Sequence, residues 1–316
     1  MKAVFITSTS SRCGKTTLGL WLAFNLKGNI GYMKPLSENK DCHLFKEVLH
    51  LKEDESALTL NNKDLKEHFT VLSKDKDVMI IESGPNLSYG AYKGLAASDI
   101  AKTLDVNPII VTSGSTESIV DKLIMGKSCF QTIRGVIINK VGYADLKETK
   151  SFVIPALEKV GFPVLGVIPS YKTLRVFTAQ DVQTQLNAEI VCENGMEKGI
   201  DNIMVGAMNF DSALTYFRRY ADKVVITGGD RAEIMLAAME TATSCIVATG
   251  GVRPSPPVIK KAVELKIPIL LVQGDTYTAA KKIEGIEPEI NPEDHEKIEV
   301  IEKRIGHHLD VKALLE

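Results

Sequence analysis

Three consecutive residues, Gly14, Lys15 and Thr16, have the types and the order of a phosphate grip. They lie within the stretch TSTSSRCGKTTLGL (residues 7–20) and close the pattern G-x-x-x-x-G-K-[ST], with Thr9 in the place of its first glycine. In such a loop the backbone N–H groups and a helix N-terminus point at phosphate oxygens. Lys15 would neutralise the β and γ phosphates, and Thr16 would offer its hydroxyl to Mg²⁺. A threonine at position 9 is costly only if the loop needs a positive φ there.

Further residues extend this chemistry. Glu82, in IIES (80–83), follows an apolar run and stands where a metal-side carboxylate is expected. Asp41, in KDCHLFKEVL, opens a helical stretch and reads either as a second metal carboxylate or as a helix cap. Lys34, in GYMKP, could face phosphate, an acidic substrate or solvent. INKVGY (138–143) starts like the guanine-reading NKxD box of GTPases, but Gly142 takes the aspartate's place. Adenine is therefore the expected base, with the Asn139 amide and the backbone near Pro169 as its edge contacts.

These residues need elements to hold them at strand ends. AVFIT, VMIIES, PIIVTSG, GVIINK and VLGVIP are short Val/Ile-rich runs of the kind found in buried parallel strands. Amphipathic stretches such as KTTLGLWLAFNL (15–26) and ESIVDKLIMGKSCFQTI (117–133) alternate with them. The pattern predicts an α/β, doubly wound, mostly parallel sheet, followed by a smaller α/β domain. At 316 residues, two domains are expected, 1–200 and 203–316, with the polar segment CENGMEKGIDN (192–202) as the connection.

Composition limits the partners. The chain is 44% hydrophobic and 25% charged, with a formal net charge of −2, so neither nucleic acid nor a membrane surface is expected. The N-terminal apolar run is too short for a signal peptide, and the five cysteines have no C-x-x-C spacing. A reducing cytoplasm is the expected compartment.

The second half repeats a phrase. VVITGGDRAEI (224–234) and CIVATGGVRPS (245–255) both read strand, Thr-Gly-Gly, then Arg two residues on. They look like two strand ends of one βαβ unit. Thr227, Gly228, Gly229, Asp230 and Arg231, with Thr249, Gly250, Gly251 and Arg253, could form a regulatory site or a subunit contact in which the arginines meet an anion. They could equally be tight turns, with Asp230 capping a helix and the arginines in salt bridges.

Taken in order, ITSTSSRCGKTT, GYMKP, Asp41, IIES, INKV and VLGVIP resemble the dethiobiotin synthetase-like P-loop fold, and VGAM, VVITGGDRAEI, ATGGVRP and VQGDTYTAA resemble the DRTGG domain. The combination resembles the N-terminal regulatory half of long phosphotransacetylases, and the stand-alone proteins that carry only that half. It implies that Thr9, Gly14, Lys15, Thr16 and Thr17 bind phosphate, that Asp41 and Glu82 bind magnesium with Thr16, and that Lys34 lies near the γ-phosphate. The synthetase's Glu-Gly-Ala-Gly-Gly run is ESGPNLSYG here, so biotin-precursor synthesis is not carried over, and acetyl transfer is not expected of this polypeptide alone. Three functions fit these residues: a regulatory module binding ATP and Mg²⁺, an ATP-dependent carboxylate-activating ligase or ATPase using Lys15 and Lys34, or a structural oligomerisation protein. A homo-oligomer, dimeric or larger, and a metabolic enzyme as partner are expected with the first.

Overall fold

A computed structural model describes residues 1–36, 40–60, 64–286 and 288–315. The chain forms two compact units, Met1–Tyr171 with Ile290–Glu316, and Lys172–Glu289.

The first unit is built on six strands: β1 (Lys2–Ser8), β2 (Ile30–Met33), β3 (Val78–Glu82), β4 (Pro108–Thr112), β5 (Gly135–Val141) and β6 (Val164–Pro169). They lie in the order β2-β3-β1-β4-β5-β6, and every pairing is parallel. The strands stand out as Val/Ile-rich runs because a parallel sheet covered on both faces needs apolar side chains on both. Helices α1 (Lys15–Asn25), α2 (Lys40–Leu49), α3 (Leu65–Leu72), α4 (Ala97–Leu104) and α5 (Thr116–Lys127) connect or flank the first strands. The strand order puts β1 between β3 and β4, so the loop after β1 opens at the middle of the sheet's carboxyl edge. In open α/β sheets ligands bind at that edge, where the strand order reverses.

The C-terminal tail belongs to this unit rather than to the second, contrary to the 203–316 expectation. Helix α1 shows why. Leu18, Leu20, Trp21, Leu22 and Ala23 are all buried, which the sheet alone cannot achieve because it covers one face. Helix His295–Arg304 packs on α1. Gly306 lies so close to Trp21 that a Cβ there would stand 3.0 Å from the indole Nε1. The tail is also tied to β6, since Asp310 N–H donates to the Leu165 carbonyl at 2.7 Å.

The second unit contains β7 (Phe177–Thr178), β8 (Glu189–Cys192), β9 (Gly199–Ile200), β10 (Asn202–Val205), β11 (Lys223–Gly228), β12 (Thr243–Thr249) and β13 (Ile269–Leu271). Its main sheet has the order β10-β11-β12-β13-β8, parallel except for β8, which runs antiparallel along β13. β7 and β9 form a separate antiparallel pair. The unit therefore begins near residue 172, not after 200. The 192–202 segment, expected to be a connection, carries strand residues instead. Their mixed Gly, Glu and Asn content hides them, because edge pairing is backbone hydrogen bonding that any side chain permits. Apolar layers cover both faces, with Phe217, Met235 and Ile267 in one and Phe177, Ile200 and Ile283 in the other.

The Thr-Gly-Gly turns end β11 and β12, which are parallel neighbours joined by helix Ala232–Met239, as one βαβ unit requires. The turns abut: Gly229 N–H donates to the Thr249 carbonyl at 3.0 Å, and a Cβ on Gly229 would stand 1.7 Å from the Val252 carbonyl oxygen. Gly250 instead has φ +80° and open space around its Cα. The two glycines are thus needed for different reasons. Gly229→Ala should destabilise the second unit by about 3 kcal/mol, because backbone cannot move aside cheaply. Gly250→Ala should cost about 1–2 kcal/mol, the left-handed penalty alone. Urea unfolding of the two variants tests this, and equal losses would show that the close approach at Gly229 is not a constraint.

Candidate functional site

The loop after β1 holds a left-handed turn at two places, Arg12 (φ 63°) and Gly14 (φ 93°). Thr9 is not among the positive-φ residues, so a threonine costs nothing there. Its N–H donates to the Val111 carbonyl at 3.1 Å, and its hydroxyl meets Thr112 Oγ1 at 2.9 Å. The strained positions fall later in the loop, and Gly14 has a second reason to be glycine. A Cβ there would lie 2.1 Å from Asn139 Nδ2. Asn139 donates that amide to the Cys13 carbonyl at 2.8 Å, and its Oδ1 accepts from Lys140 N–H at 2.9 Å. Its side chain is thus a strut from β5 to the loop, an arrangement the sequence did not reveal. Pro169, the other expected base contact, is buried at the end of β6 beside Val141.

Gly14 is the N-cap of α1 and has no side chain to satisfy the first N–H groups of the helix. The N–H groups of the first turn, which includes Thr16 and Thr17, therefore face the loop mouth without a side-chain cap. Lys15 is 7% exposed, and its ammonium donates to Ser8 Oγ at 2.8 Å and to the Pro85 carbonyl at 3.4 Å. Burial pulls its pKa down, and Glu82 partly offsets this. Ser8 and Pro85 carry no signal of this role in the sequence. They hold Lys15 because the segment after β3 folds back beside β1. Ser83, at the first departure from the synthetase run, is buried and donates to Thr7 Oγ1 at 2.9 Å.

Thr16, Asp41, Glu82 and Lys34 converge beside this loop. The Thr16 hydroxyl lies 3.1 Å from Asp41 Oδ1 and 3.5 Å from Glu82 Oε2. Lys34 forms ion pairs with Asp41 Oδ2 and, at 3.3 Å, with Glu82 Oε2. Asp41 lies inside the first turn of α2 and turns to Thr16 and Lys34, so it is not acting as a cap. Glu82 is fully buried, and its Oε1 has no hydrogen-bond partner. Burial raises the Glu82 pKa, with Lys34 and Lys15 opposing. Burial alone would lower the Lys34 pKa, but Glu82 and Asp41 outweigh it and the net direction is upward. Tyr32, stacked on Phe45 at 3.8 Å, has its hydroxyl buried without a partner, and burial and the nearby Glu82 charge raise its pKa well above the usual value. Gly19 makes room for these groups, since a Cβ there would stand 2.9 Å from Glu82 Oε1 and 2.8 Å from Phe45 Cζ.

Among the described residues no group of three or more His, Cys, Asp or Glu forms a metal cluster. A hydroxyl and two carboxylates nevertheless suit Mg²⁺, a hard cation that keeps several waters and takes further oxygens from phosphate. The oxygens already face one cation, the Lys34 ammonium, so the donor set fits a positive charge.

In the second unit the Thr-Gly-Gly residues tie turns together. Arg231 donates from Nη1 to the Gly206 carbonyl at 2.9 Å and from Nη2 to the Met208 carbonyl at 2.7 Å. Its Nε also lies 3.5 Å from Glu233. Thr227 Oγ1 donates to the same Gly206 carbonyl at 3.1 Å, and Thr249 Oγ1 donates to the Thr227 carbonyl at 3.3 Å. Arg253 pairs with Glu189 at an exposed position. Asp230 does not cap the following helix, whose N-cap is Arg231, and its Oδ1 sits where a Cβ on Gly228 would reach, 2.5 Å away. Gly251 N–H donates to the Val272 carbonyl, next to a cavity of about 260 Å³ lined by Asn187, Glu189, Gln273 and Lys282 among others.

A central parallel sheet with a Gly-Lys-Thr loop at the end of its middle strand defines a P-loop nucleotide domain. The chain belongs to the AAA domain family, whose model matches residues 2–176, and a DRTGG domain model matches residues 181–286. It is also similar to phosphate acetyltransferases. The relative from Nitrosomonas europaea is 25% identical over 100% of this chain and 51% of its own length, and that from Escherichia coli is 23% identical over 96% and 51%. The relative from Salmonella typhimurium is 25% identical over 84% of this chain and 43% of its own length. The chain thus spans about half the length of these relatives and corresponds to their N-terminal region. Among solved structures, the CBS and DRTGG regulatory region of Clostridium perfringens pyrophosphatase matches 35% of this chain and 47% of that one, at 29% identity and a TM-score of 0.32. No described helix is long and apolar enough to cross a membrane.

The two carbonyls held by Arg231 give a direct expectation. Arg231→Ala should destabilise the second unit by about 2–3 kcal/mol, because two charge-assisted bonds are lost and the Met208 carbonyl loses its guanidinium donor, while the Gly206 carbonyl keeps Thr227. Arg231→Lys should recover little, since one ammonium does not present a planar fork to both carbonyls. Denaturant unfolding decides it. An unchanged midpoint in Arg231→Ala would mean the fork does not hold the turn.

Proposed function

We propose that this chain is a regulatory protein that binds ATP with Mg²⁺ in its first unit and passes the bound state on through its second. The convergence of Lys15, Thr16, Asp41, Glu82 and Lys34 at the middle of the sheet's carboxyl edge carries this proposal. The loop amides and Lys15 would hold the phosphates. Thr16, Asp41 and Glu82 would hold Mg²⁺, directly or through water. Bound there, the metal would supply charge neutralisation for the phosphates. Lys34 would lie at the outer phosphate. The second unit, with its tied turns and the cavity beside Gly251, would be the responsive part, and the protein would act as a homo-oligomer on a metabolic enzyme in the cytoplasm. The chain spans only about half the length of the phosphate acetyltransferases it resembles, and acetyl transfer is not part of this proposal.

A ligase or ATPase is the alternative, because two lysines beside a metal site could stabilise phosphoryl transfer to a carboxylate. Ser83 and Pro85 argue for the regulatory role. Their polar groups are engaged with Thr7, Ser8 and Lys15, not turned outward as a substrate cradle. Turnover measured with and without candidate carboxylates separates the two.

Adenine is proposed because residue 142 brings no carboxylate of its own. One observation favours guanine instead. The Asp145 carboxylate stands 2.6 Å from where a Cβ on Gly142 would be, close to the place an aspartate at 142 would fill. Calorimetry with ATP and GTP, on wild type and Asp145→Ala, distinguishes the bases. Tighter GTP binding that Asp145→Ala abolishes would replace adenine by guanine.

Lys15→Ala should weaken nucleotide binding about tenfold to hundredfold, the loss of one charge-assisted phosphate contact of about 1.5–3 kcal/mol. Equal ATP affinity in the two proteins would end the nucleotide proposal. Glu82→Gln should weaken Mg²⁺-dependent binding while sparing binding measured in a chelator. Equal loss under both conditions would make Glu82 a structural residue.

A further inference from the structure

Lys34 holds the position that a metal ion would need. Its ammonium pairs with both carboxylates, Asp41 and Glu82, and the Thr16 hydroxyl lies against the same two residues. The site is largely shielded on the Glu82 side and more open at Asp41: the Lys34 side chain is 12% exposed, that of Glu82 0% and that of Asp41 31%. Glu82 Oε1 lies beside Gly19, where a Cβ would stand 2.9 Å from it, so the absence of a side chain at position 19 is what lets the carboxylate sit here.

The charges in this cluster cancel. Lys15 and Lys34 bring two ammonium groups to it, and Asp41 and Glu82 two carboxylates. A divalent cation arriving alone would have to displace Lys34 from the carboxylate oxygens, and would leave two buried ammonium groups beside it without counter-charge. Repulsion among cations in a poorly solvated site is severe. A metal arriving on a polyphosphate changes the balance, because the phosphate oxygens give both lysines new partners as the carboxylates pass to the metal.

We propose that Lys34 is a built-in counter-ion that closes the Thr16–Asp41–Glu82 oxygens to free divalent metal and yields them only to metal that comes with phosphate. The site would then reject free cation and make metal binding conditional on nucleotide. This rests on the nucleotide reading of the P-loop, but it concerns the nucleotide-free protein and can fail separately.

The experiment is a titration of the full chain with Mn²⁺ alone, read by electron paramagnetic resonance of the free ion, in wild type, Lys34→Met and Lys34→Arg. Methionine keeps the length of the side chain without the charge, and arginine keeps the charge. Lys34→Met should bind Mn²⁺ at least about tenfold more tightly than wild type, while Lys34→Arg should stay as weak as wild type. Wild type should gain no thermal stability from Mn²⁺ alone and should gain it from Mn²⁺ with a non-hydrolysable nucleotide. The proposal is overturned if Lys34→Met binds Mn²⁺ no better than wild type, if Lys34→Arg gains as much as Lys34→Met, or if Mn²⁺ alone stabilises wild type. Should Lys34→Met fail to fold, the wild-type arm decides by itself: stabilisation by Mn²⁺ without nucleotide overturns the proposal, and its absence supports it. A failure of nucleotide binding would show in the ATP titrations of wild type and Lys15→Ala, leaving the Mn²⁺ arm readable.

Discussion

A fully buried carboxylate sets the terms for the first unit. Glu82 ends β3, next to β1, with one oxygen near Thr16 and Lys34 and the other without a hydrogen-bond partner. An ionised carboxylate in that position is tolerable only if positive charge stays close. Lys34 and Lys15 provide it, and their placement explains much of the surrounding architecture. Lys34 stands just beyond β2, the strand that pairs with β3. Lys15 opens α1 directly after the phosphate loop. Gly19 must lack a side chain because Glu82 and Phe45 occupy the space beside it. The strand order, the loop and the glycine all meet at one ionic cluster.

The same cluster connects segments far apart in the chain. Lys15 reaches the carbonyl of Pro85, and Asn139 reaches the carbonyl of Cys13. Phosphate competing for Lys15 would also act on the segment after β3. A coupling of this kind needs no long-range wire, only a lysine with two alternative sets of partners whose balance the ligand shifts.

The second unit solves a different problem. Its Thr-Gly-Gly turns bring backbone against backbone, and Arg231 and Thr227 converge on the Gly206 carbonyl. Donors and acceptors that would otherwise be left bare at strand ends are paired internally. The arginine in this motif is thus a tie between turns as well as a charge, which places it differently from a free anion-binding residue.

The buried strands of the first sheet, the phosphate loop and the two Thr-Gly-Gly turns were legible in the sequence, because burial on both faces selects Val and Ile and because sharp strand-to-helix turns select Gly, Ser and Thr. That Lys15, Thr16, Asp41, Glu82 and Lys34 stand at or just beyond a strand or helix end was also legible, from the apolar runs and turns that flank them. Their mutual geometry was not. Nothing local says that Lys34 lies between Asp41 and Glu82, that Asn139 braces the loop, or that Asp145 covers Gly142. Those contacts depend on how separate turns and strand ends are brought together, and most exist only once the sheet order is set. The tail from 290 onward shows the same limit. Its place against α1 depended on which apolar face was left uncovered, and only the packed sheet decides that.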